Sequence, residues 1–258
     1  MAELAFPSRL AGRIGAALAR FLARRRHVHG TSAPADLRSL AAALRPGDVI
    51  LVEGESRFST GVKYLTQSTW SHAALYVGNR LGERRAANGQ PACVIEADVV
   101  EGVRAVGLDT FAGLHLRICR PISLSANEAQ AVIDHAIARL GHRYDLKNII
   151  DLVRWLLPTP PVPVAWRRRL IALGSGDPTR AICSILVAQA FQSVRYPILP
   201  QHLKVCQGDA PGHCDEVLLE STHFSHFTPR DFDLSPYFEI VKPTIRGGFD
   251  YKMIRWLE

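Results

Sequence analysis

Three side chains in this 258-residue sequence have the types that thiol chemistry needs, and they lie far apart along the chain. Cys183 sits in "TRAICSILVAQAF", in the first turn of an expected helix. Unpaired backbone N–H groups and the helix dipole favour a thiolate at that position. His72 sits in "STWSHAALYVG", where a polar turn passes into an apolar run. An imidazole at the mouth of a buried strand either is held by backbone groups or serves as a base near neutral pH. Glu96 lies in "CVIEADVV", an apolar strand in which a carboxylate needs a partner to stay charged. If the two strands adjoin, Glu96 holds one ring nitrogen of His72 while the other faces a sulfur activated as a nucleophile. Asp98 points to the same side as Glu96 by alternation and is a weaker substitute. Each residue taken alone also reads as packing: a small hydrophobe in a core helix, a structural histidine, a half-exposed glutamate.

The elements that must position these groups follow from periodicity and turn chemistry. "ADLRSLAAAL" (35–44) reads as a short helix, and "RPGD" turns the chain into the strand "VILVEG". "SRFSTGVKYLTQS" (56–68) has Phe58, Val62 and Leu65 at helical spacing. "HAALYVG" is the next strand, and "ACVIEADVVEGVRAVGL" divides into two strands around Val99–Gly102. "LHLRICRPI" is a further strand with Arg117 directed outward. "SANEAQAVIDHAIARLG" begins with a capping box, Ser125 and Glu128, and ends at Gly141. "LKNIIDLVRWLL" and "AWRRRLIALG" are helices separated by the "PTPPVP" break, and "TRAICSILVAQAFQSV" is a buried helix. A short strand returns at "YFEIVK". Strands followed by grouped helices predict an α+β fold with a mostly antiparallel sheet covered by helices.

The charge is uneven. Of the net +7, +5 belongs to residues 1–30, with six arginines and one acid. Arg9, Arg13, Arg20 and Arg24 fall within about 60° of a helical wheel, beside an apolar arc that includes Leu10, Ile14 and Phe21. Residues 1–30 are expected to form a basic amphipathic helix, with residues 9–26 a candidate foot on an anionic membrane surface. The alternative is a helix packed on the domain with its arginines in water. No basic stripe with interleaved aromatics marks the body of the chain, so nucleic acid is not an expected partner. The N-terminus does not follow the order of a secretory signal and no run reaches the length of a membrane span, which makes the cytoplasm the expected compartment, with peripheral attachment to the inner membrane face through the foot. Five cysteines, an odd and scattered set, suit free thiols better than a disulfide framework.

Taken in order, "RPGDVILVEG…TQSTWSHAALYVG", "VIEADVVEGV", "GHRYDL" and "ICSILVAQAF" resemble the permuted NlpC/P60 cysteine peptidases, the YiiX/YebB-type branch of the papain-like fold, related to the lecithin:retinol acyltransferase group. The likeness spans roughly residues 45–195. It implies a circularly permuted papain-like fold in which the histidine and polar strands precede the cysteine helix. By that resemblance Cys183 is the nucleophile, His72 the base, Glu96 the orienting group and Tyr144 a site residue that donates to the oxyanion. Trp70, Ser71 and Ser184, which adjoin the base and the nucleophile, are expected to touch substrate. The implied reaction is attack of Cys183 on an amide or ester carbonyl, with the acyl-enzyme passing to water or another acceptor. No cofactor is expected. The expected substrates are a peptide or cell-wall fragment, cut at peptide, γ-glutamyl or N-acyl bonds, or a lipid in an acyltransferase or lipase; a non-catalytic membrane-associated module is the remaining reading. The chain departs from the family by inserting 38 residues between Tyr144 and Cys183.

The expected organisation is therefore a helix over 1–30, a linker and short helix over 31–44, and a catalytic domain over 45–258 with insertions at 146–180 and 200–225. The second insertion gathers His202, Cys206, His213, Cys214, His223 and His226. The gap between its cysteines fits no common structural zinc spacing, so an ordinary insertion without metal is expected.

Overall fold

The computed structural model describes residues 36–142, 182–199, 203–205, 217–219 and 222–242. Helix α1 (Leu37–Ala43) starts at Asp36, whose carboxylate accepts from the backbone N–H groups of Arg38 and Ser39. Strand β1 (Val49–Glu53) follows, then α2 (Arg57–Thr66), capped by Ser56. Strands β2 (His72–Tyr76), β3 (Val94–Asp98), β4 (Gly102–Val106) and β5 (His115–Pro121) complete the first half. Helix α3 (Ala126–Ile137) opens with the expected capping box of Ser125 and Glu128. It ends a turn before Gly141, which adopts φ +83° and donates its N–H to the Val103 carbonyl. Helix α4 (Ile182–Gln192), the short pair β6 (Leu203–Val205) and β7 (Val217–Leu219), helix α5 (Pro229–Leu234) and strand β8 (Phe238–Val241) follow. The expected helix over 1–30, the helices between 146 and 180 and most of the 200–225 insertion lie outside the described residues.

Six strands form one antiparallel sheet in the order β4-β3-β2-β1-β5-β8. Alternation sends β1 residues to opposite sides, and both sides are buried. Val49 and Leu51 join Leu75 and Ile95 under α3 and α4, while Ile50 and Val52 join Ala74, Val94 and Ile118 under α1 and a 3-10 turn at Leu108–Phe111. This explains why "VILVE" reads as a continuous apolar run rather than an alternating one. The α+β class and antiparallel sheet are as expected.

The placement of Arg117 differs from expectation. It lies on the face shared with Cys119, where its guanidinium sits 4.8 Å over the Trp70 ring and pairs with Asp233 of α5. The side chain stays about a third exposed, and its charge is shared with an aromatic face and a carboxylate.

Helix α4 is the central helix. Leu186, Val187, Ala188, Ala190 and Phe191 are fully buried against β2, β3 and α3. Burial of a Leu, Val or Phe side chain contributes about 1.5–3 kcal/mol, so the docking of this helix is secured by packing rather than by its own propensity. Beyond its end, the Tyr196 hydroxyl donates toward the Ile122 and Tyr237 carbonyls at 2.9 and 2.6 Å, tying α4 to the ends of β5 and β8. At the start of β1, Arg120 makes two hydrogen bonds to Asp48 (2.8 and 2.6 Å) and one to the Ala43 carbonyl (2.7 Å). Both side chains are nearly inaccessible, and the pair joins α1, β1 and β5.

Candidate active site

Register decides which polar side chains meet. Pairing of Ala74 with Glu96 and of Glu96 with Arg104 puts His72, Glu96 and Arg104 on one face of three neighbouring strands. His72 is the first residue of β2, opposite Val52. Glu96 is 3% exposed. A carboxylate buried so deeply must be compensated on both oxygens, and it is. Oε1 accepts from Arg104 Nε at 2.9 Å and Nη2 at 2.7 Å, and Oε2 lies 2.7 Å from His72 Nε2. Burial alone pushes the Glu96 carboxyl up; the bond and charge of His72, then Arg104, overcome it and hold the group at about 2.

Cys183 is the second residue of α4 and 3% exposed. Its Sγ lies 3.9 Å from the Ser71 carbonyl, beside the residue that precedes His72. The imidazole feels burial, which disfavours its cation, but the charge and hydrogen bond of Cys183 followed by those of Glu96 raise it well above the usual histidine value. With Nε2 on Glu96, Nδ1 is the nitrogen left for the sulfur. The three residues separated in sequence are therefore brought into one cluster.

These groups open on a cleft of about 200 Å³. Its polar wall includes Glu55, Ser56, Ser59, Ser71, Asp98 and Arg104, and its apolar wall Phe58, Val99, Phe111 and Leu114. Ser71 shapes the wall as well as lining it: its Oγ accepts the Gly54 N–H at 2.9 Å. A side chain at Gly54 has no room, since a Cβ there collides with Ser59 Oγ and comes within 2.9 Å of Ser71 Oγ.

Trp70 and Ser184, expected beside substrate, are placed in packing and not among the residues that line the cleft. Trp70 is 2% exposed, donates Nε1–H to Asp233 at 3.0 Å and stacks on His115. The Ser184 hydroxyl, fully buried, donates to the Phe227 carbonyl at 2.6 Å. Both hold the framework around the cluster. Asp98, the substitute for Glu96, is occupied by the hairpin turn, where Oδ1 accepts from the Val100 and Glu101 N–H groups. Tyr144 lies outside the described residues, as do His202, Cys206, His213 and Cys214. Among the described residues no group of three or more His, Cys, Asp or Glu is arranged to hold a metal ion, and Cys93, Cys119 and Cys183 are free thiols.

Arg104 is the member of the cluster that the residue types alone do not indicate. A signal exists, because Glu96 and Arg104 stand four residues either side of Val100 in the turn and so face each other across the hairpin.

Residues 43–151 match the model of the permuted papain-like amidase enzymes, the YaeF/YiiX, C92 family. The match takes in strands β1 to β5 and helix α3, less than half of the chain. The permuted papain-like family supports a cysteine-type hydrolase in general terms, and the matched segment holds His72, Glu96 and Arg104 but stops before Cys183. Among solved structures, the chain is similar to the metalloprotein YiiX from Escherichia coli O157:H7, with 19% identity over 78% of this chain and 97% of that one and a TM-score of 0.44. No curated protein matches significantly. Among the described residues no helix is long and apolar enough to cross a membrane.

Proposed function

We propose that the chain is a cysteine-dependent hydrolase of amide bonds, at a peptide, γ-glutamyl or N-acyl linkage, working through an acyl-enzyme on Cys183. The observation that carries this is the position of His72 between the buried Glu96 carboxylate, 2.7 Å from Nε2, and the Cys183 thiol. His72 takes the thiol proton and Cys183 attacks the carbonyl carbon. The resulting imidazolium, favoured by Glu96, returns the proton to the leaving amine as the tetrahedral intermediate collapses. Water then attacks the thioester with the neutral imidazole as base, releasing the acid and regenerating the thiol. Backbone N–H groups at the start of α4 and the Tyr144 hydroxyl are the proposed oxyanion donors. Trp70, Ser71 and Ser184 frame this site, with Ser71 in the cleft wall.

A second reading, a lipid-directed thiol acyltransferase or lipase, draws on the apolar wall formed by Phe58, Val99, Phe111 and Leu114. It uses the same acyl-enzyme with a different acceptor, and residues 9–26 supply its membrane foot. A cytoplasmic protein held peripherally at the inner membrane face is the compartment that goes with it.

The test is labelling of Cys183 by a thiol-reactive acyl probe, followed by turnover of matched amide and ester substrates. Labelling lost in Cys183→Ala and in His72→Ala, with amide turnover in the parent protein, supports the first reading. Turnover confined to acyl-lipid esters favours the second. Labelling of Cys183 that is unaffected in His72→Ala removes the catalytic reading and leaves a non-catalytic module. Flotation on anionic vesicles with and without residues 1–30 tests the foot, and equal flotation of both forms removes it.

A further inference from the structure

Arg104 is held in a cage of carboxylates. Its Nε and Nη2 both reach Glu96 Oε1, Nη1 lies 3.0 Å from Glu101 Oε2, and Nη2 lies 3.6 Å from Asp98 Oδ2. These three acids come from β3 and the turn that follows it, so the β3–β4 hairpin is built around the guanidinium. The fork fixes the plane of the Glu96 carboxylate, because two donors on one oxygen leave the other directed along β2. That other oxygen is the one on His72.

We propose that Arg104 is a positioning residue for the His72 base: it keeps the Glu96 carboxylate charged and turned so that Oε2 pins the imidazole with its second nitrogen toward Cys183. The inference rests on the proposed thiol chemistry. It adds a group in the cleft wall whose effect on the base runs through Glu96.

Two effects of Arg104 oppose each other, and the test separates them. As a charge, Arg104 repels an imidazolium and makes the ion pair with sulfur harder to form. As a clamp, it holds the geometry that makes the pair possible. The charged and titratable groups that share the cleft with His72 are Cys183 from α4, Glu96, Asp98 and Arg104 from the hairpin, and Glu55 from the cleft wall, while Glu101 lies behind Arg104. Only the clamp requires the fork.

The experiment is the rate of Cys183 alkylation by iodoacetamide between pH 5 and 9, read by peptide mass mapping on the full chain, for the parent protein, His72→Ala, Arg104→Gln and Arg104→Lys. Near-UV circular dichroism and thermal unfolding report the fold of each variant. The clamp predicts that Arg104→Gln slows alkylation at pH 6 by about tenfold and moves the acid limb to higher pH, as expected for a misplaced ring. Arg104→Lys, with the charge but not the fork, is expected to fall between the two. An unchanged or faster rate at pH 6 in Arg104→Gln overturns the proposal; if that variant does not fold, a parental rate in Arg104→Lys overturns it. Alkylation of the parent that does not depend on His72 removes the thiol reading itself, and the proposal with it. A His72-dependent parent with an unresponsive Arg104 removes the proposal alone.

Discussion

Glu96 Oε2 and His72 Nε2 lie 2.7 Å apart, one in the middle of β3 and the other at the first position of β2, so the carboxylate reaches diagonally across the ladder to the base. The residue nearest His72 by extension of the register is Asp98, but its Oδ1 is committed to the turn. The proposed thiol chemistry depends on this diagonal.

Replacing Glu96 with Gln keeps the shape and removes the charge. The imidazole loses one of the groups that raise it, and Arg104 loses its main partner. Cys183 alkylation at pH 6 is expected to fall about a hundredfold. Urea unfolding should show a loss of about 1–3 kcal/mol, because the guanidinium loses its buried partner but keeps Glu101 and Asp98. A variant that alkylates at the parental rate contradicts the role given to Glu96.

Acid should unlock the same cluster. The Glu96 carboxyl is held at about 2 in the folded protein against an ordinary value of 4.5. Its contribution is fully present above that ordinary value and is lost as pH falls toward 2. The difference is on the order of 3 kcal/mol. At the other end, the raised His72 contributes fully below its ordinary 6.5 and loses its contribution as pH rises through the folded value. Urea midpoints from pH 7 to pH 2 in the parent and in Glu96→Gln check this: the parent should carry an acid-labile component that the Gln protein lacks.

The Asp48–Arg120 pair gives a prediction about stability alone. Both side chains are buried, and removing one strands the other. Asp48→Leu and Arg120→Leu should each cost about 3–5 kcal/mol. The double replacement should cost clearly less than the sum, because no orphaned charge remains. Thermal and urea unfolding of the four proteins in the cycle measure the coupling. Additive losses would mean that the pair is not a unit.

Much of the scaffold is legible in the sequence, because local chemistry and tertiary placement agree. The Ser125–Glu128 capping box, the strand "VILVE" and the apolar helix that begins at Cys183 each carry their own signal. His72 and Glu96 stand out as polar residues in apolar strands. Arg104 does not, since an arginine on a strand is unremarkable until the hairpin register sets it against Glu96. Trp70 and Ser184 read as cleft residues because they adjoin the base and the nucleophile. Their burial is fixed instead by Asp233 and Phe227, 163 and 43 residues away, and no local pattern reports such partners.

The late position of α4 has a consequence for synthesis. Strands β1 to β5 leave the ribosome with Val49, Leu51, Leu75 and Ile95 bare on the side that α4 will cover, and with the β5 edge still waiting for β8. The nascent half-sandwich exposes apolar surface, and His72 and Glu96 are in place before Cys183. Under the proposed chemistry, the helix that covers this apolar surface is also the one that brings Cys183 to His72, so burial of the exposed face and assembly of the cluster are one event.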